Sequence, residues 1–261
     1  MSQTTAASTV IVAAREDSPL RVAVISDIHA NLHALESVLE AIDVDPPDKI
    51  WCLGDLVGYG PRPNEVVAIV QGRADLSLVG NHDLAALGQI DLDEFALDAA
   101  VSARWTQSVL LDESRSYLEG LSPVAEVDGA QLFHASPRDP IWEYVITEET
   151  ALDALERTHA PVVMVGHSHL ALAIALLDGQ FGGGLAPGGS EADLAEGRWL
   201  LNPGSVGQPR DGDPRAAWIE LELDARRARF RRTPYAIERT QAEIRERELP
   251  EALAERLAHG A

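Results

Sequence analysis

The sequence predicts an α/β protein in which a parallel sheet forms from the early part of the chain and a second sheet packs on it. Three observations favour this class. Apolar runs rich in β-branched residues alternate with helical patterns over residues 20–80, hairpin signals follow Pro123, and polar residues stand where each early strand ends. Alternating strand and helix units form parallel sheets with right-handed crossovers.

Residues 20–80 have the order strand, helix, strand, helix, strand. The strands are "LRVAVIS" at 20–26, "KIWCLG" at 49–54 and "DLSLVG" at 75–80, and the helices are "NLHALESVLEAI" at 31–42 and "PNEVVAIVQG" at 63–72. The first helix has apolar residues at helical spacing, and the second has a proline near its start and a glycine after its end.

The remaining chain changes from these units to hairpins. Asp128-Gly129 and Asp178-Gly179 each lie between two short apolar runs, which predicts a tight turn between antiparallel strands. Further strands are predicted at 198–202, 216–223 and 227–233, and helices over 91–121 and 148–158.

A single domain is predicted over residues 20–261, because no linker separates two independent parts. Residues 1–19 are interpreted as a flexible N-terminal extension, since their apolar patch lacks the basic flank of a secretory signal. The stretch 180–197 is rich in glycine and acidic residues, which predicts a mobile insertion loop. From about residue 236 a charged helical segment is predicted, which either covers a sheet face or mediates a homodimer.

The composition argues against several classes of function. The formal net charge of −21 disfavours a nucleic-acid-binding surface, because such binding relies on clustered Lys and Arg. The single cysteine, Cys52, rules out an internal disulfide and a multi-cysteine metal site, and it favours a cytoplasmic location. No apolar stretch is long enough to span a membrane. Lys49 is the only lysine, so Schiff-base chemistry and a Walker-type phosphate loop lack their usual residue.

Polar and ionisable side chains gather at the predicted ends of the first three strands. Asp27 and His29 follow the first strand two residues apart, Asp55 follows the second, and Asn81 and His82 follow the third. The carboxyl ends of parallel strands meet at one edge of a sheet, where ligands of α/β proteins bind. Taken singly, Asp and Asn at these positions also have a structural explanation as strand ends and helix caps.

Three further histidines follow strands of the second sheet. The run "VVMVG" at 162–166 predicts a buried strand, and His167 and His169 would project to the same side just beyond it. His134 follows the first hairpin, and all three could reach the same edge. The alternative is a set of hydrogen-bonded core histidines.

This inventory suits a metal site. The candidate ligands are two carboxylates, one amide oxygen and four imidazoles, and His82 is not among them. This set favours manganese, iron, zinc, cobalt or nickel rather than an iron–sulfur cluster. Seven ligands are too many for one catalytic ion that keeps an open position, whereas two ions that share one carboxylate use them all.

The ordered motifs resemble those of calcineurin-like metallophosphoesterases. They are "DIHAN" at 27–31, "GDLVGYGP" at 54–61, "GNHD" at 80–83, "FHASP" at 133–137 and "GHSH" at 166–169, and the closing "NPGSVGQPRDGDPRAAW" at 202–218 is similar to the small prokaryotic phosphodiesterase branch. The resemblance covers the chain from about Arg21 to Trp218. It implies a four-layer α/β/β/α sandwich of two packed mixed sheets flanked by helices.

The resemblance also implies two divalent transition-metal ions per chain, with manganese preferred and iron, zinc, nickel or cobalt open. The first ion would take Asp27, His29 and His169, the second would take Asn81, His134 and His167, and Asp55 would bridge them. His82 would assist the leaving group, and Asp83 would orient His82. Asn31 would either cap the helix that follows or contact the substrate, with capping favoured, and Arg210 is the best candidate for binding a substrate phosphate.

The implied function is hydrolysis of a small phosphoester or nucleotide by a water that bridges the two ions, with diesters preferred over monoesters. A phosphomonoesterase or phosphoprotein phosphatase is the alternative within the same class. A non-catalytic metal-binding scaffold is the alternative from another class, and it would be indicated by loss of His82 or of the ligands. A DNA nuclease is disfavoured by the acidic charge.

Overall fold

The computed structural model describes residues 20–261, and the predicted N-terminal extension at 1–19 lies outside them. Within this range the strands are β1 Arg21–Ile25, β2 Lys49–Cys52, β3 Leu76–Ser77, β4 Val124–Val127, β5 Ala130–Phe133, β6 Val162–Met164, β7 Ala171–Leu177, β8 Gln180–Leu185, β9 Glu191–Asp193, β10 Arg198–Pro203, β11 Ala216–Glu222 and β12 Arg227–Thr233. The helices are α1 Leu32–Asp43, α2 Pro63–Arg73, α3 Asn81–Leu87, α4 Leu97–Val109, α5 Asp112–Glu119, α6 Glu148–Arg157, α7 Ile237–Glu246 and α8 Glu251–Glu255. Among these described helices, none has the length and apolarity that crossing a membrane requires.

The strands form two mixed sheets of six strands each. The first has the order β3-β2-β1-β11-β12-β9, with β1, β2 and β3 parallel and the other pairs antiparallel. The second has the order β4-β5-β6-β10-β7-β8, with β5, β6 and β10 parallel. The predicted ligands follow β1, β2, β3, β5 and β6, which all lie in the parallel parts of the two sheets.

The core shows why the two sheets stack with helices outside them. In β1, Val22 and Val24 pack between the sheets, whereas Ala23 and Ile25 face α1 and α2. This alternation follows from the two-residue period of a strand. On the far side, α6 packs its buried residues against Val163 and its neighbours in the second sheet. The predicted four-layer α/β/β/α sandwich is confirmed.

The glycine-rich stretch differs from the sequence prediction. Instead of a mobile loop, residues 180–185 form β8, which pairs along its whole length with β7, and residues 191–193 form β9, which pairs with β12. The strand needs a glycine at position 183, because a Cβ on Gly183 would lie 2.1 Å from the carbonyl oxygen of Ala173 on the neighbouring strand. Glycine in this strand permits close backbone approach, a use that composition alone does not distinguish from flexibility.

The C-terminal segment is helical, as predicted, and folds back on the domain. Ile244, Leu249, Leu253 and Leu257 form a small apolar cluster that includes Tyr59 from the loop after β2. The segment therefore covers the side of the sheet edge on which the predicted ligands lie.

Candidate metal centre

Four short loops and the opening turn of one helix bring the predicted ligands to one place. The loop from β1 to α1 carries Asp27 and His29, and the loop from β2 to α2 carries Asp55. The first residue of α3 is Asn81, so this ligand sits in the opening turn of a helix. The loop after β5 carries His134, and the loop after β6 carries His167 and His169. All seven side chains are buried.

The loop backbone is left-handed at five of these residues. The φ angles are 53° at Asp27, 50° at His29, 52° at Asp55, 62° at His167 and 59° at His169. A left-handed conformation at a residue other than glycine costs on the order of 1–3 kcal/mol and persists where surrounding contacts impose it. The prediction that His167 and His169 share a side because a strand alternates is therefore corrected. β6 ends at Met164, and the turns of the loop aim the two rings.

His29 and His169 form the first cluster together with Asp27 and Asp55. Nδ1 of His29 donates to the carbonyl oxygen of Val57 at 3.1 Å, and Nδ1 of His169 donates to that of Gln208 at 2.6 Å. Each ring therefore presents an unprotonated Nε2, and the two Nε2 atoms lie 2.9 Å apart. Two lone pairs at this distance repel unless a cation lies between them.

His134 and His167 form the second cluster with Asp55. Nδ1 of His134 donates to the carbonyl oxygen of Leu53 at 2.8 Å, and its Nε2 lies 3.3 Å from Oδ1 of Asn81. His167 uses the opposite tautomer, since its Nε2 donates to the carbonyl oxygen of Trp142 at 3.2 Å. Its Nδ1 is then the atom free to bind an ion.

Asp27 and Asp55 each use one oxygen for the backbone and leave the other unpartnered. Oδ2 of Asp27 accepts from the amide of His167 at 3.1 Å, and Oδ1 of Asp55 accepts from that of His82 at 2.9 Å. Oδ1 of Asp27 and Oδ2 of Asp55 are buried without a hydrogen-bond partner. Oδ2 of Asp55 lies 3.6 Å from Nε2 of both His29 and His134, so it belongs to both clusters.

The ionisation of these groups agrees with a cation site. Burial raises the pKa of Asp27 to about 7 and raises that of Asp55 well above its ordinary value. Burial also lowers the pKa of His167 to about 3, and it holds the pKa values of His29 and His169 well below the usual range. These three imidazoles are therefore neutral and able to ligate, and a positive ion would compensate the buried carboxylates. The donor set fits a pair of divalent ions.

Gly80 allows the two clusters to approach each other. A Cβ at this position would lie 2.1 Å from Oδ1 of Asp55 and 2.6 Å from Cε1 of His134. No side chain fits there, so the glycine of "GNHD" is required by packing around the Asp55 carboxylate.

His82 lies beside the clusters, while Asp83 has a different role from the predicted one. Both oxygens of Asp83 accept from backbone amides, those of Val57 and Gly80, at 3.0 Å. Nδ1 of His82 is buried without a partner. The expectation that Asp83 orients the His82 ring is therefore wrong, because Asp83 fixes the loop backbone around Gly80 instead. Burial keeps the pKa of His82 well below its usual value.

Asn31 is a helix cap. Its Oδ1 accepts from the amide of Ala34 at 3.2 Å and from the hydroxyl of Thr240 at 2.9 Å, and its Nδ2 donates to the carbonyl oxygen of Gly207 at 2.8 Å. These bonds use the amide group for the fold. Capping is confirmed, and the structure does not support the expected substrate contact.

Arg210 faces the clusters from the loop after β10. Its Nη2 donates to Oε1 of Gln208 at 2.9 Å, and its guanidinium lies 5.9 Å from the ring centre of Tyr59. The Tyr59 ring in turn lies 4.3 Å from that of His82. Arg210 is thus placed near the predicted leaving-group histidine, as a phosphate-binding residue would be.

Sequence reasoning missed the aromatic side chains around the clusters. Tyr144 stacks on His167 at 4.1 Å between ring centres, and Phe95 contacts His82 edge-on at 5.0 Å. Trp142 contacts Phe95 at 5.2 Å. None of these three aromatic residues lies in a recognisable motif. The feature of the sequence that could have indicated them is their position in polar loops.

Known proteins share both sequence and fold with this chain. Residues 20–224 match the calcineurin-like phosphoesterase superfamily domain. An uncharacterised protein of Methanocaldococcus jannaschii is 38% identical over 244 residues, which cover 92% of this chain and 98% of that protein. The crystal structure of a metallophosphoesterase from Sphaerobacter thermophilus is 43% identical, has a TM-score of 0.84 and covers 94% of this chain and 100% of that one.

A shorter similarity links the chain to a named enzyme. The symmetrical bis(5'-nucleosyl)-tetraphosphatase of Erwinia tasmaniensis is 41% identical over 66 residues, which are 24% of this chain and 24% of that protein. The domain match covers every residue of the two clusters, and the two longer similarities cover 92% and 94% of this chain. By sequence, fold and buried Asp/His site, this chain belongs to the calcineurin-like phosphoesterase superfamily.

Proposed function

We propose that this metallophosphoesterase is a dinuclear phosphodiesterase that acts on small phosphoesters or nucleotides in the cytoplasm. The observation that carries the dinuclear assignment is Oδ2 of Asp55, which is buried, unpartnered and 3.6 Å from a ring nitrogen of each cluster. Asp27, His29 and His169 would hold one ion, and Asn81, His134 and His167 the other. Two divalent ions, with manganese favoured, would polarise the phosphoryl group and supply a water-derived nucleophile at neutral pH.

The protein side chains would position the ester and its leaving group. Arg210 offers a guanidinium to a non-bridging phosphate oxygen. His82 offers a ring proton to the leaving oxygen, and an anionic phosphate beside it would raise the low pKa that burial imposes on the free protein. Each of these groups acts on the substrate without changing the ligand set.

Access to the site favours a small substrate. The predicted ligand residues and His82 are at most 5% exposed, Tyr59 and Phe95 contact the His82 ring, and Trp142 contacts Phe95. A phosphoprotein loop needs a wide, shallow approach, so these contacts count against the phosphoprotein phosphatase alternative. The scaffold alternative is disfavoured because His82 and all seven ligand positions are present.

Metal analysis and a paired substrate assay test the proposal. Protein purified without chelator would be analysed for bound metals, and hydrolysis of bis(p-nitrophenyl) phosphate and p-nitrophenyl phosphate would be compared with added Mn²⁺. We expect two ions per chain, faster turnover of the diester, and a loss of about 10²-fold or more in His82→Ala. Faster turnover of the monoester would overturn the diesterase assignment, and bound metal without turnover of either would support the scaffold.

A further inference from the structure

Two arginines that are far apart in sequence meet beside the metal centre. Nη2 of Arg210 and Nη1 of Arg256 both donate to Oε1 of Gln208, at 2.9 and 3.3 Å. Arg256 begins the 3-10 helix Arg256–Ala258, which follows α8 at the C-terminal end of the described chain. One neutral amide oxygen is thus shared by two guanidinium groups.

Within the described chain, neither guanidinium group forms an ion pair. Among residues 20–261, no carboxylate oxygen lies within 4.0 Å of a side-chain nitrogen of Arg210 or Arg256, and Nε of each is buried without a hydrogen-bond partner. By contrast, the buried Arg232 is ion-paired with Asp211 and Asp213. Two neighbouring cations with buried, unused donors are unfavourable unless an anion joins them.

The pair lies directly beside the first cluster. The carbonyl oxygen of Gln208 accepts from Nδ1 of His169, and the amide of Arg210 donates to the carbonyl oxygen of His169 at 3.2 Å. An anion between the guanidinium groups would therefore be adjacent to a phosphate at the metal centre.

The C-terminal segment holds Arg256 in place. The carbonyl oxygen of Gly260 accepts from the amide of Gly212 at 2.9 Å, and Gly260 has a φ of 64°. A Cβ at Gly260 would lie 2.8 Å from backbone atoms of Asp213, so the chain end packs tightly on the loop that follows Arg210. Leu253 and Leu257 anchor the same segment in the apolar cluster with Tyr59. Arg256 is thus a fixed part of the site wall.

We infer that Arg210 and Arg256 bind a second phosphate group of the substrate, next to the one that is hydrolysed. Guanidinium groups offer paired N–H donors that match phosphate oxygens, and Nε supplies one donor of such a pair. The inference rests on the proposed function and narrows it to esters whose phosphates are linked in a chain of at least two. Recognition is by the phosphate chain, so the organic group is not specified by these residues.

The test compares two inert phosphonates. Methylenediphosphonate carries two phosphoryl groups on one carbon, and methylphosphonate carries one. Their inhibition constants against bis(p-nitrophenyl) phosphate would be measured with free Mn²⁺ in fixed excess, and their effects on the thermal unfolding of the Mn²⁺-loaded protein would be measured in parallel. The variants are Arg256→Gln, Arg256→Lys and the control Arg247→Gln. Arg247 lies in the same C-terminal segment, but its Nε already donates to the carbonyl oxygen of Pro61 at 2.9 Å.

We expect wild type and Arg247→Gln to bind the diphosphonate about ten-fold or more tightly than the monophosphonate, since charge-assisted hydrogen bonds of this kind are strong. Arg256→Gln should lose most of this ratio, and Arg256→Lys should keep part of it. An unchanged ratio in a folded Arg256→Gln protein would overturn the inference. Absence of turnover on any ester would contradict the proposed function, whereas the unfolding shifts would still report on the arginine pair.

Discussion

Nε2 of His29 and Nε2 of His169 face each other at 2.9 Å, and neither carries a proton. Hydrogen bonds from the opposite ring nitrogens to carbonyl groups fix both tautomers, and burial keeps both rings neutral. The fold therefore holds these two ring nitrogens in a mutually repulsive arrangement before any ion binds. It also holds Oδ1 of Asp27 and Oδ2 of Asp55 buried without a hydrogen-bond partner. Four predictions follow from this arrangement and its surroundings.

Removal of metal should lower the unfolding temperature. Saturation at about 100 times Kd contributes about 2.7 kcal/mol. For a domain of this size we expect a difference of roughly 5–10 °C between Mn²⁺-loaded and EDTA-treated protein. Scanning calorimetry with metal analysis of the same samples measures it. Equal unfolding temperatures for the two samples would show that the clusters bind no ion in the native state.

Asp55→Asn should abolish paired metal binding and stabilise the metal-free protein. The asparagine Oδ1 can still accept from the His82 amide, while its Nδ2 would donate toward the nitrogens of His29 and His134. Because the pKa of Asp55 is raised in the fold, ionisation of this carboxyl at pH 8 lowers the free energy of unfolding. An asparagine at this position carries no such cost. We expect the free energy of unfolding without metal to rise by about 1–3 kcal/mol.

Denaturant unfolding in EDTA and elemental analysis after Mn²⁺ loading check this result. Asp43→Asn is the control, because Asp43 is an exposed partner of Arg73 away from the clusters. A metal-free Asp55→Asn protein less stable than wild type would contradict the view that this carboxylate is buried for metal binding.

Gly80→Ala should disrupt the centre. Its Cβ would overlap Oδ1 of Asp55, so this carboxylate or the α3 turn must shift. Such overpacking costs about 1–3 kcal/mol, and we expect bound metal to fall below two ions per chain. Gly72→Ala is the matched control, because Gly72 lies in α2 with open space around its Cβ position and alanine there should stabilise by about 1 kcal/mol. Full metal content in Gly80→Ala would be inconsistent with the packing described.

The ion pair that joins the C-terminal segment to α2 should make stability depend on pH. Arg62 donates twice to Glu243 at 2.8 Å, and these bonds lower the pKa of Glu243 below its usual 4.5. A lowered carboxylate pKa gives stability that is present above about pH 4.5 and is lost as the pH falls through the lower folded value. Glu243→Gln should therefore cost about 0.5–1 kcal/mol at pH 7 and less near pH 3.

Urea unfolding of both proteins at the two pH values measures this difference. The control is Glu65→Gln, which removes the more exposed second partner of Arg62 and should cost less. A penalty for Glu243→Gln that stays constant with pH would assign the effect to lost packing instead of charge.

The sequence was sufficient to predict which side chains gather at one edge and insufficient to predict the contacts between distant segments. Asp27, Asp55 and Asn81 were predictable because parallel strands must end at one edge, and this rule is independent of loop detail. His167 and His169 lie in the two clusters, but left-handed turns aim their rings and not the alternation of a strand. Local patterns carry no information on such turns.

Asp83 and Arg256 show the same limit. An aspartate next to a histidine that is predicted to be catalytic suggests a pair along the chain, yet its oxygens accept from the amides of Val57 and Gly80. Arg256 meets Gln208 only because α7 and α8 fold back over the domain, which depends on an apolar cluster assembled from three segments. Contacts of this kind depend on tertiary packing.

The left-handed turns also limit how the centre can be lost during evolution. At Asp27, His29, Asp55, His167 and His169 the backbone favours glycine, asparagine or aspartate over β-branched residues when a ligand is no longer selected. A relative that has abandoned metal binding should therefore carry small or amide side chains at these positions and not a random set. The identity of the replacements would then distinguish a chain that has drifted on an intact fold from one in which the loops have been rebuilt.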